Sequence, residues 1–241
     1  MTALPGTRGR RRIFLLRHGD VDYFTEDGER VPNPTQVSLT DWGREQAGLM
    51  GEVLADLPFD HAFHSGMRRT RETAEIVMKG RDEIPLEALP GFREIKSGDI
   101  NSMSFERIEA EYVYGFENAA TPGARFAEGE AFAEFRQRIV AALLELLDMP
   151  GWSQVLLVAH GGANRAILSW MTNSGLDGLS TFEQDTCCLN VLDVDVIDGD
   201  IIRKYVRAVN FTPYNISKDG LFNTSLEKMF QRRIKMRDGK A

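Results

Sequence analysis

The stretch Val155-Leu156-Leu157-Val158-Ala159-His160-Gly161-Gly162 sets an apolar run directly before a histidine and two glycines. A short continuous apolar run of this kind reads as a strand buried on both faces. The glycines then open a segment whose pattern predicts a helix to about residue 172. Near the start, Ile13-Phe14-Leu15-Leu16-Arg17-His18-Gly19 repeats the arrangement. Two buried strands therefore each end in His-Gly. Between them, helix and strand patterns alternate. A helix is predicted from Thr40 or Asp41 to about residue 57, a strand over 59–64, a helix over 68–78 and a strand over 84–89. Helices follow over 104–118 and 130–147, and the second His-Gly strand spans 152–159. Residues 189–197 and 201–209 flank Asp198-Gly199-Asp200 as a hairpin. Alternation predicts an α/β fold with a layered, mostly parallel sheet, and the hairpin adds antiparallel character at an edge. Ligands of such sheets sit beyond the carboxyl ends of the strands, where both histidines lie.

With 241 residues the chain is large enough for one domain or at most two. The division expected is a flexible lead-in over 1–11, one domain over 12–210 with a helical lid insertion at about 100–130, and a polar, basic tail over 211–241. The tail has a weak helical stretch near 226–236. Turn residues mark Asp27-Gly28 and Pro32-Asn33-Pro34. The net charge of −7 opposes general nucleic-acid binding, which needs a surplus of Lys and Arg. No apolar run approaches the roughly 20 residues of a membrane span. Arg10-Arg11-Arg12 superficially suits an export signal, but the apolar run after it stops at Arg17, too soon for one. The two cysteines, Cys187 and Cys188, are adjacent, so no disulfide framework or cysteine zinc site follows, and a reducing, cytoplasmic location is the simplest reading.

The chemistry around the histidines suits an anion. Glycine after histidine lets a ligand approach the backbone. Gly161-Gly162 opens a helix whose free N–H groups and positive end favour negative charge. Arg17 adds a planar, permanently charged fork. A phosphate monoester carries about −1.5 to −2 charges at neutral pH, so a second arginine is expected. Ser65-Gly66-Met67-Arg68-Arg69-Thr70-Arg71-Glu72-Thr73-Ala74 offers three, and spacing alone does not choose among them.

Taken in order, these motifs resemble the histidine phosphatase superfamily, the phosphoglycerate mutase-like proteins. Arg17-His18-Gly19 is similar to the family's opening Arg-His-Gly, and residues 39–47 to its Leu-Thr-x-x-Gly-x-x-Gln-Ala helix entry. Residues 65–74 resemble its Ser-x-Leu-x-Arg segment, which sets the family's arginine on Arg69. Residues 92–98 resemble its Leu-x-Glu-x-x-x-Gly loop, Gly129-Glu130-Ala131 partly matches Gly-Glu-Ser, and Ala159-His160-Gly161-Gly162 matches Ser-His-Gly-Gly. The resemblance implies a three-layer α/β/α sandwich and a phosphohistidine mechanism without metal or cofactor. His18 would be the nucleophile. Arg17, Arg69 and His160, with Gly161, would hold the phosphate. Glu94 would be the acid and then the base, with Asp20 and Asp22 as competing candidates. The substrate would be a small phosphorylated metabolite, and a homodimer is left open.

Some positions depart from the pattern. Phe24 stands where the family often has an asparagine that helps hold phosphate. Gly98-Asp99-Ile100-Asn101-Ser102 replaces Gly-x-Trp-Glu-Gly, and Ala131 replaces the serine of Gly-Glu-Ser. The aromatic residues Phe105, Tyr112, Tyr114 and Phe116 read as core or as a cap over the pocket. The preferred activity is hydrolysis of a phosphomonoester. A mutase, which needs further cations for a carboxylate and a second phosphate, ranks second because the sequence shows no obvious cluster. A non-catalytic phosphate-binding protein is the third reading. His61 and His64 lie on one strand with side chains to opposite faces, which opposes a metal site there.

Overall fold

The computed structural model describes residues 9–25, 29 and 31–237. Most of the lead-in, the Asp27-Gly28 turn and the last residues of the tail lie outside them. The strands are β1 (Arg10–Arg17), β2 (His61–His64), β3 (Leu86–Ala88), β4 (Gln154–Ala159), β5 (Leu189–Ile197) and β6 (Asp200–Phe211). The helices are α1 (Asp41–Val53), α2 (Arg68–Val77), α3 (Phe105–Val113), α4 (Phe132–Asp148), α5 (Gly161–Met171), α6 (Gly178–Thr181) and α7 (Ser225–Arg237).

The sheet order is β3-β2-β4-β1-β5-β6. β3, β2, β4 and β1 are parallel, while β5 runs antiparallel to β1 and β6 antiparallel to β5. The antiparallel part is thus the whole hairpin. Alternate residues of the central strands point to opposite faces. Ile13, Leu15, Phe63, Val155 and Leu157 join one buried cluster with α4 and α5. Phe14, Leu16, Ala62, Leu156 and Val158 join the other with α1 and α2. Two apolar faces on one sheet require helices on both, and three layers result. Among the described residues no helix is long and apolar enough to cross a membrane.

β1 begins at Arg10, inside the segment expected as a flexible lead-in. Its arginines are held from the neighbouring hairpin: Arg10 pairs with Asp195 at 2.8 Å and Arg12 with Asp193 at 2.6 Å. Arg203 and Arg207 take the outer oxygens of the same buried carboxylates. The strand predicted over 59–64 begins only at His61, because the Asp60 carboxylate instead accepts N–H groups from Ser153 and Gln154. Cys187 and Cys188 are buried and unpaired.

The segment after β6 is more ordered than a solvated tail. α7 carries apolar residues at Leu226, Met229, Phe230 and Ile234, the spacing of one helical face. Phe230 is buried, and the others pack against the larger cluster. Burying one such phenylalanine contributes about 2 kcal/mol. In the expected lid region, Phe116 packs against Phe126 and Phe132, whereas Tyr114 is exposed.

Candidate active site

β1 and β4 are parallel neighbours, with Arg17 opposite Ala159. From β1 the chain goes to β2 on the far side of β4, so a topological switch point lies between β1 and β4. His18 and His160 leave these strands side by side, with ring centroids 5.3 Å apart. The His18 N–H donates to the Ala159 carbonyl at 3.1 Å. Gly19 and Gly43 let α1 press against the turn behind His18: a Cβ on Gly19 would lie 2.4 Å from the Gly43 carbonyl oxygen. The helix entry at 39–47 is therefore packed onto the nucleophile candidate's own turn, and Thr40 caps it by accepting the Gly43 N–H at 3.0 Å.

α2 separates its three arginines. Arg69 faces inward with Thr70, Thr73 and Ala74 and is only 3% exposed. Arg68 and Arg71 lie outward, each at 2.7 Å from a glutamate one turn along, Glu72 and Glu75. The Arg69 fork donates to the Pro34 carbonyl at 2.8 Å and to His160 Nδ1 at 3.1 Å, and lies over the Tyr23 ring. Arg17 donates to the Gln184 carbonyl. The Nε–H groups of Arg17 and Arg69 are buried without a hydrogen-bond partner among the described residues. Leaving a buried donor unpaired costs about 1–3 kcal/mol.

Both imidazoles have definable tautomers. His18 Nδ1 lies 2.7 Å from the Gly19 carbonyl oxygen, which can only accept. Nδ1 therefore carries the proton, and Nε2 keeps its lone pair. A guanidinium can only donate, so His160 Nδ1 accepts from Arg69, and its Nε2–H donates to Ser65 Oγ at 2.7 Å. Burial, then Arg69, hold both histidines well below the ordinary imidazole range; Arg17 adds to this.

Arg17, His18, Arg69, Glu94, Gly161 and Gly162 all line one cavity of about 380 Å³. His160 touches Arg69 but has no exposed surface and is not on the cavity wall. Glu94 accepts the Gly162 N–H at 3.0 Å through Oε2 and the Ile95 N–H at 2.9 Å through Oε1. Its loop is braced from α4. Arg138 donates to the Gly91 and Arg93 carbonyls, both at 2.9 Å, and holds Glu130, which accepts the Lys96 N–H at 3.1 Å. Asp20 and Asp22 line a separate chamber of about 770 Å³ that shares His18 and Arg17 with the first. Asp20 is taken by the Thr40 hydroxyl at 2.9 Å, and Asp22 by the Phe24 N–H at 3.2 Å. Ser225 and Met229 of α7 line both chambers.

Several residues on this wall had no assigned role in the sequence. Arg165 is buried, lies over the Phe116 ring and is ion-paired with Glu183. It sits one turn and a half into the helix that His160 opens, a spacing that could have flagged it. Thr35 reaches the cavity from the turn whose Pro34 holds Arg69. Arg93 and Lys96 line it too, so cations are present beyond the pair beside His18. Among the described residues no group of three or more His, Cys, Asp or Glu side chains is placed to hold a metal ion.

A family model described as the histidine phosphatase superfamily (branch 1) matches residues 13–204. The chain belongs to the histidine phosphatase superfamily. Membership places it among histidine-type enzymes of phosphate esters. An Erwinia tasmaniensis protein named "Probable phosphoglycerate mutase GpmB" is 30% identical over 166 residues, 66% of this chain and 73% of its own. The fold is similar to that of a mycobacterial glucosyl-3-phosphoglycerate phosphatase, at 24% identity and a TM-score of 0.67, covering 83% of this chain and 99% of that one. It is also similar to mycobacterial hydrolase 2, at 22% identity and a TM-score of 0.70, covering 95% and 98%.

Gly162 supplies a test of Glu94 as the candidate acid. A Cβ there would lie 2.5 Å from Glu94 Oε1. Gly162→Ala is expected to displace the carboxylate and lower kcat/KM, which reports phosphoryl transfer to His18, about 100-fold on an alkyl phosphate, the cost of roughly an ångström of misplacement. The loss should be much smaller on p-nitrophenyl phosphate, whose leaving group departs without a proton. Steady-state kinetics on the two esters checks this; equal losses would remove Glu94 from the protonation step.

Proposed function

We propose that the protein is a metal-independent phosphatase that hydrolyses a small phosphomonoester through a phosphohistidine on His18. The observation that carries this reading is the convergence of Arg17, His18, Arg69 and Glu94 on one cavity wall, with His18 Nδ1 committed to the Gly19 carbonyl so that Nε2 keeps the lone pair. The Nε2 lone pair attacks phosphorus, and the bond from phosphorus to the ester oxygen breaks. Glu94 gives its proton to the departing oxygen. The phosphohistidine keeps its Nδ1–H on the Gly19 carbonyl, which favours the positive charge the ring acquires. Glu94, now ionised, takes a proton from water. The water oxygen attacks phosphorus, and the electron pair of the P–N bond returns to Nε2. Arg17 and Arg69 hold the equatorial oxygens and stabilise the spread charge. His160 orients the Arg69 fork through its Nδ1.

The test is release of phosphate from p-nitrophenyl phosphate in excess chelator. Activity is expected to persist there. Its abolition by chelator would overturn metal independence, and an inactive protein that binds phosphate would favour the non-catalytic reading. Arg93 and Lys96, with the name of the Erwinia relative, favour phosphoglycerate mutase-type transfer as the second reading. Incubation with 3-phosphoglycerate separates the two, since a phosphatase gives free phosphate and a mutase gives the isomer.

A further inference from the structure

The charge on the wall of the 380 Å³ cavity exceeds what one phosphate needs. Arg17, Arg69, Arg93, Lys96 and Arg165 line it, against the single carboxylate of Glu94. Arg165 is neutralised by Glu183. A phosphate dianion beside His18 would match Arg17 and Arg69, the two whose buried donors are unpartnered. Arg93 and Lys96 remain. Among the described residues neither has a carboxylate at ion-pair distance, and both side chains are exposed. They flank Glu94 on its own loop and line the same cavity, so a leaving group that takes its proton from Glu94 departs within that cavity beside them. The brace from Arg138 and Glu130 grips the backbone of both, at the Arg93 carbonyl and the Lys96 N–H. Two long, exposed cations are thereby mounted on a braced loop.

Much of the remaining wall is apolar, with the hydroxyls of Thr35, Ser97 and Ser225 among it. Its apolar part is made by Ile95, Phe116, Phe126, Met67, Leu226 and Met229. We propose that Arg93 and Lys96 form a second anion subsite, and that the substrate is a phosphomonoester whose leaving group joins an apolar body to a second anionic group. This rests on the phosphatase reading above and narrows its substrate class.

The probes are 4-carboxyphenyl phosphate and its neutral counterpart, 4-carbamoylphenyl phosphate. The amide withdraws electrons more strongly and makes the better leaving group, so chemistry alone favours the amide. The subsite is expected to reverse that order and give the carboxylate at least about tenfold higher kcat/KM, the scale of one charge-assisted hydrogen bond. Lys96→Met and Arg93→Met should each shrink the ratio, and the double variant should bring it to unity or below. Comparing the two esters within each variant cancels any general loss of activity or folding. A wild-type ratio at or below one, with both esters hydrolysed, overturns the subsite and leaves the phosphatase standing. If neither ester is hydrolysed, the phosphatase reading fails separately. Calorimetry then decides the subsite with the non-hydrolysable 4-(phosphonomethyl)benzoate and its amide. Equal affinity of the wild-type protein for the two overturns it, and tighter binding of the carboxylate that Lys96→Met and Arg93→Met abolish supports it.

Discussion

Replacing His18 by alanine is expected to lower kcat by about 10⁴-fold to 10⁶-fold, the range seen when a covalent nucleophile is removed, and to abolish trapping of phosphate on the protein. The reason lies in the ring's two nitrogens. Nδ1 is committed to the Gly19 carbonyl at 2.7 Å, so Nε2 alone has a lone pair. Burial and the two arginines keep the ring neutral well below the ordinary imidazole range. The nucleophile therefore needs no general base. The sign for pH follows. A depressed pKa means that His18 stays unprotonated as pH falls through 6.5, so kcat/KM on p-nitrophenyl phosphate, whose leaving group needs no proton from Glu94, should follow the second ionisation of that ester. Rapid quench with labelled substrate, followed by alkali-stable, acid-labile phosphate on the protein, checks the intermediate. Wild-type protein that turns over without such a label, or a His18→Ala protein that keeps it, would place the covalent step elsewhere. His18→Gln is the companion variant, since it keeps a polar side chain in the buried slot. Should it match alanine in rate while binding phosphate normally, the loss belongs to the missing nucleophile and not to a collapsed site.

The parts of this site that were legible in the sequence are those carried by strand ends. Ile13 to Leu16 and Val155 to Ala159 are apolar without interruption because both faces are covered, and a buried strand pattern ends where the ligand begins. That placed His18, Arg17, His160 and Gly161 at one edge of the sheet. Glu94 lies on an irregular loop with no periodicity to read. Only the family resemblance singled it out, and its position depends on Gly162 and on the Arg138–Glu130 brace, far away in the chain. The ranking of three arginines on α2 was closed to spacing because adjacent helical residues differ by about 100° in direction. Which direction is inward depends on where α2 meets the sheet. The tail misled for a related reason. Its basic residues dominate the composition, while the apolar face of Leu226, Met229, Phe230 and Ile234 is sparse and has meaning only against the core it covers. Arg10 fell in the expected flexible lead-in because its partner, Asp195, is some 185 residues distant.

Arg69→Ala is expected to cost about 10²-fold to 10³-fold in kcat/KM, as the loss of a buried transition-state donor does, whereas Arg68→Ala should stay within about twofold. The two residues are adjacent in sequence and alike in charge, so the comparison isolates direction. Arg68 is half exposed and paired with Glu72 one turn along the helix, an interaction of about 0.3–0.5 kcal/mol at a surface. Arg69 is inside the cavity wall, and its removal also leaves the Pro34 carbonyl and His160 Nδ1 without their donor. Part of the effect could then be structural, so Arg69→Lys is the second variant: it keeps the charge and loses the fork that spans Pro34, His160 and an incoming oxygen. Lysine should restore inorganic phosphate affinity toward wild type while recovering little of kcat. The electrostatic role has its own signature. Arg69 is the charge that most depresses both imidazoles after burial, so in Arg69→Ala both should titrate closer to 6.5. NMR titration of the histidine ring protons reads this independently of turnover. Equal losses in Arg68→Ala and Arg69→Ala, or imidazole titrations that do not move, would show that the phosphate is held from another part of the wall.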